Sequence, residues 1–76
     1  MRKEDFDKPF VIAAEGFDRR GELLVFPLGV VLATCTKDAW KQAIHRWPNR
    51  ILFEPAPWEV IDPEIRLSAL KADRQM

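Results

Sequence analysis

Cys35, Asp38 and His45 are the residues of this chain whose types could build an activated nucleophile. A thiol beside a histidine, with a carboxylate orienting the ring, is the chemistry such a set would supply. The spacing argues against it. Asp38 and His45 lie seven positions apart, about two helical turns or ~10 Å along an axis, too far for a direct hydrogen bond. No segment has the look of an oxyanion loop. The expected roles are therefore a cysteine buried at a strand end and a solvated helix histidine, and the chain reads as non-enzymatic.

The single Cys and single His fall short of the ligands a structural zinc site takes at set spacing. The acids are too scattered for a calcium loop. Gly16, Gly21 and Gly29 do not make a phosphate-binding loop. No metal and no cofactor is expected.

The stretch Ile51–Ile65 is the most distinctive. It holds Glu54, Glu59, Asp62 and Glu64 with no Lys or Arg, and Phe53, Trp58 and three prolines stand among these acids. As a general acid/base set these carboxylates would need a cleft, and Asp62 and Glu64 are already explained as residues that start a helix. As a binding surface they make more sense. A loop Trp anchors contacts and acids steer a basic partner. The competing role for Trp58, closing the core beneath the helices, carries equal weight.

Directly before this acidic stretch lies a basic one, with Lys37, Lys41, Arg46 and Arg50 against Asp38 alone. Such a row could meet phosphates. A solvated helix face is the preferred explanation. No second helix stands at helix-turn-helix spacing, and no exposed aromatic pair for base stacking is evident.

These residues need a scaffold, and the composition bounds it. Seventy-six residues make one small domain, which buries little more than ~60% of its unfolded surface. Apolar residues are 47% and charged residues 32%, with 3 Trp and 5 Phe, an ordinary globular composition. Net charge is zero, so no bulk field draws nucleic acid or membrane. The charged start MRKEDFDKPF is no secretory signal. The longest apolar run, Leu23–Cys35, is broken by Pro27 and Gly29 and too short to span a bilayer. A lone cysteine offers no disulfide staple of the secreted kind, and a cytoplasmic setting is expected.

Residues 1–8 read as a flexible N-terminal segment and 9–76 as a single α+β domain. Phe10–Ala14, Glu22–Phe26 and Val30–Cys35 carry the β-branched and aromatic residues of strands. Gly16–Gly21 reads as a loop and Pro27-Leu28-Gly29 as a tight turn. Ala39, Trp40, Ala43, Ile44 and Trp47 form an apolar stripe on a helix over Lys37–Trp47, capped by Thr36 and ended by Pro48. Arg50–Glu54 suits a short fourth strand or an extended edge segment. Pro55-Ala56-Pro57 is stiff and extended. Asp62-Pro63-Glu64 starts a final helix that runs to about Asp73.

The expected architecture is a small antiparallel sheet of three to four strands, in the order β-β-β-α-β-α, with two helices packed on it. Leu23, Leu24, Val25 and Phe26 do not alternate with polar residues, as a sheet covered on one face requires. Either the helices cover both faces or the open face meets a second copy of the chain.

Taken together these features point to a non-enzymatic protein-binding module. It would engage a basic, nucleic-acid-binding surface of a protein or nucleoprotein partner through Glu54, Trp58, Glu59, Asp62 and Glu64. A small regulator or inhibitor fits, including a phage- or mobile-element-encoded anti-defence protein of the anti-CRISPR kind, although no motif here marks such a family. The alternative is a small nucleic-acid binder that uses Lys37, Lys41, Arg46 and Arg50.

Overall fold

A computed structural model describes residues 7–74. It has an α+β fold, with a three-stranded antiparallel sheet and two helices. The elements are β1 (Lys8–Phe17), β2 (Leu23–Ala33), α1 (Thr36–Arg46), β3 (Ala56–Pro57), a 3-10 turn at Trp58–Val60, and α2 (Pro63–Arg74). The strand order across the sheet is β2-β1-β3, so β2 is an edge. Lys8 already belongs to β1, and the rest of the expected N-terminal segment, apart from Asp7, lies outside the described residues.

The observed order is β-β-α-β-α, because the second and third expected strands are one. Pro27-Leu28-Gly29 is not a turn. Ile12 faces Gly29 and Ala13 faces Pro27, so Leu28 is the extra residue of a bulge inside β2. Proline survives within a strand where its missing N–H faces an open edge, and a bulge absorbs the misfit.

The real turn is tighter than the Gly16–Gly21 loop. Gly16 and Phe17 remain in β1, paired with Leu24 and Leu23. Asp18 organises the reversal. Its Oδ1 accepts from the N–H of Arg20 at 2.8 Å and of Glu22 at 2.9 Å, and Gly21 supplies the left-handed backbone, with φ +82°.

The core lies where α1 crosses the lower half of the hairpin. Phe10, Ile12, Val31 and Ala33 of the sheet meet Ala39, Ala43 and Trp47, with Leu28 and Leu52 packed against them. The small Ala39 and Ala43 let the helix sit close. α1 spans Thr36–Arg46, and Cys35, not Thr36, holds the N-cap position, with no side-chain cap bond. Of the expected stripe, Ala39, Ala43 and Trp47 are buried, while Trp40 and Ile44 remain exposed at its margins.

Arg50–Glu54 runs as an extended segment along β1. Leu52 bridges Ala14, Glu15 N–H donates to Ile51 O at 2.8 Å, and Phe53 N–H donates to Ala13 O at 2.9 Å. Then β3 pairs Pro57 with Phe10 and Ala56 with Val11. α2 starts as its sequence requires, with Asp62 Oδ1 accepting from Glu64 N–H at 2.9 Å. It packs mainly along β2, with Ala69 fully buried. Its last turn is tied to α1 by a 2.7 Å bond from Arg46 Nη2 to Asp73 Oδ1. Among the described residues no helix is long and apolar enough to cross a membrane.

Candidate binding surface

The acidic segment folds around Trp58. Pro57 ends β3, and Trp58–Val60 coils into the 3-10 turn. Arg66, one turn into α2, reaches back to this turn. Its Nε donates to Trp58 O at 2.9 Å and its Nη2 to Glu59 O at 3.0 Å. Its guanidinium also lies 5.5 Å from the centre of the Trp58 ring, within cation–π range. Planar donors and a delocalised charge suit arginine to this combined role. Trp58 is half-buried. It belongs neither wholly to the core nor wholly to the surface, and one side of it lines a hollow with Lys8, Pro9, Pro57 and Glu59.

The expected acidic set is divided. Glu59, Asp62 and Glu64 are exposed and follow one another around the 3-10 turn and the start of α2. Glu54, also exposed, sits instead by the first turn of α1, beside Thr36, Lys37 and Trp40. Asp62 has a structural duty as well, since its carboxylate caps α2. Arg66 was missed by sequence reasoning. Its signal was the eight-residue step back to Trp58, which becomes visible only once Trp58–Val60 is seen to coil as a 3-10 turn just before α2.

The basic row is also divided. Lys37 and Lys41 are exposed near the start of α1, beside Thr34, Cys35 and Asp38. Arg46 is committed to Asp73 and lies 4.6 Å from the centre of the Trp47 ring. Arg50 sits elsewhere, against Glu15, Phe17, Phe26 and Ile51 of the hairpin. The four cations therefore do not form one strip.

Cys35 is exposed rather than buried. β2 ends at Ala33, which leaves Cys35 outside the sheet at the mouth of α1. His45 is exposed on α1, and its neighbours are Val30, Leu32, Gln42 and Arg46. Among the described residues no group of His, Cys, Asp and Glu is arranged to hold a metal ion. Comparison of the chain with protein-family models, with curated proteins and with solved structures finds no match.

Proposed function

We propose that this protein is a non-enzymatic protein-binding module whose contact surface is the Trp58–Glu64 turn. The observation that carries the reading is the Arg66 clamp. It holds the backbone of Trp58 and Glu59 while the side chains of Glu59, Asp62 and Glu64 stay exposed. A preformed turn loses little entropy on binding. A half-buried Trp beside exposed carboxylates offers an apolar anchor with steering charge around it. The partner surface would be basic. Carboxylates can occupy sites built for phosphates, so the sharper form of the proposal is an inhibitor of a nucleic-acid-handling complex, the anti-CRISPR kind included.

The nucleic-acid alternative draws less support, because Arg46 is engaged internally and Arg50 stands apart from Lys37 and Lys41.

The test is capture from nuclease-treated host lysate by the wild type and by a Glu59→Lys, Asp62→Asn double variant. Asn keeps the helix cap, so the variant should fold, and circular dichroism checks that it does. The expected result is a protein band held by the wild type and lost with the folded variant. An unchanged band would refute the role of this turn. Recovery of nucleic acid alone from untreated lysate, released by raised salt, would favour the basic residues instead.

A further inference from the structure

We propose that two copies of this chain pair through the upper half of β2, antiparallel and centred on Val25, to make one continuous sheet. The helices cover only the lower half of the hairpin. Above the bulge, Phe17 is 64% exposed, Leu23 53%, Leu24 37%, Val25 54% and Phe26 40%. This is the stretch whose apolar residues fail to alternate, and neither helix covers it. β2 reads LLVFPLGVVLA, without a single charge, and the guards it does carry, Pro27 and the bulge at Leu28, lie at the lower limit of Leu23–Phe26 and leave that stretch open.

The backbone is open at the same place. Asp18 N–H donates to Glu22 O at 3.0 Å, which makes that pair a bonded one. Alternation then makes Gly16–Leu24 and Ala14–Phe26 bonded pairs, and leaves Leu23, Val25 and Pro27 with their polar groups turned away from β1. The far side of β1 agrees, since Ala13 and Glu15 bond outward to Phe53 and Ile51. Lower down, the edge is already occupied, because Gln42 Nε2 donates to Leu32 O at 2.7 Å. Among the described residues no side chain makes such a bond to the upper half of the edge.

The occupant follows from self-complementarity. A two-fold interface sets one patch against itself. With Val25 opposite the partner's Val25, the two residues exchange both backbone bonds. Leu24 meets the partner's Phe26, and Leu23 N–H meets the carbonyl of the partner's Pro27, which has no N–H to leave orphaned. Every pair from Leu23 to Pro27 is then apolar against apolar. A shift centred on Leu24 would instead set Phe26 against the partner's Glu22. Side-by-side pairing covers the open backbone edge and the flanks of Leu23–Phe26, while Phe17, one strand in on β1, and the two sheet faces stay outside the contact. The contact is therefore at the small end of interface sizes, and it is held by its backbone bonds together with the apolar flanks. Size adds a motive, since so small a domain gains stability from burial it cannot make alone.

The test is sedimentation velocity on the full chain at ~100 µM, well above the dissociation constant of any stable dimer. The wild type is expected at twice the chain mass. Val25→Lys and Val25→Glu place like charges directly opposite each other across the two-fold axis and should each weaken association about tenfold or more. Mixing the two variants should restore the dimer, because Val25 faces its own counterpart. A monomeric wild type would overturn the proposal, whatever the variants do. So would a Val25→Lys chain that stays dimeric, or folded variants that fail to pair when mixed.

Discussion

Replacing Arg66 tests whether the acidic turn is held from α2. Arg66→Ala removes the bonds of 2.9 and 3.0 Å to the carbonyls of Trp58 and Glu59, and the cation 5.5 Å from the Trp58 ring. Hydrogen bonds from a charged donor contribute ~1.5–3 kcal/mol each, and the exposed one belongs at or below the low end. The cation–π contact adds ~0.5–1 kcal/mol at such a site. The three share one guanidinium and do not add fully, so the expected loss is about 2–3 kcal/mol. A domain of this length has ~4–11 kcal/mol in all, and the loss corresponds to a Tm lowered by about 10–20 °C. Arg66→Lys keeps the charge without the fork and should recover less than half. Urea denaturation followed by circular dichroism, at one chain concentration so that any dimer contributes equally, measures both. A change below about 0.5 kcal/mol for Arg66→Ala, or a Lys variant equal to the wild type, would refute the clamp.

Gly29→Ala should cost about 1–3 kcal/mol by overpacking. The added methyl would come within 2.7 Å of Asp73 Oδ1 and 3.2 Å of the Trp47 ring, and Asp73 is tethered to Arg46. In Gly16→Ala the added methyl would meet the Phe26 ring, yet Phe26 is 40% exposed and its ring has room to swing aside, so Gly16→Ala should be the milder of the two in the same urea titration. Cys35 should react with a thiol reagent in the folded protein at nearly the rate of the urea-unfolded chain, since it is exposed. Protection of tenfold or more would contradict its placement.

Features encoded by neighbouring residues could be read directly from the sequence. The cap at Asp62 needs only Asp-Pro-Glu, and the N–H of Glu64 duly bonds to Asp62 Oδ1. The apolar spacing Ala39, Trp40, Ala43, Ile44 and Trp47 likewise marks the helix and its inner side, although only Ala39, Ala43 and Trp47 are buried and Trp40 and Ile44 are left exposed. Features that depend on distant residues could not be read. Pro27 and Gly29 resemble a turn in isolation. They lie within a strand because β1 supplies a continuous partner and β2 is an edge that tolerates a missing donor. Gly16 resembles the start of a loop, but its lack of a side chain serves the Phe26 ring packed over it. Cys35 resembles a strand residue until the strand is seen to end two positions earlier. The candidate surface divides in the same way. Trp58, Glu59, Asp62 and Glu64 cluster because they are close in sequence, while Glu54 lies farther back along β1, before the extended Pro55-Ala56-Pro57 carries the chain on to Phe10.

The two proposed surfaces stand at opposite ends of β1. Lys8, its first residue, lines the hollow beside Trp58 and Glu59. Phe17, its last, belongs to the apolar tip. They are the two ends of a ten-residue strand, about 30 Å apart at ~3.3 Å per residue step. Pairing through β2 therefore leaves the acidic turn of each copy uncovered and points the two turns away from each other. Such a dimer would present the same contact twice, and a partner with repeated basic sites would be held by avidity rather than by a larger single interface. The same separation makes the surfaces independent under mutation, since effects at sites this far apart with no shared neighbour add. A charge at Val25 can thus remove the dimer without altering the turn, and a charge at Glu59 can remove the turn's chemistry without altering the dimer.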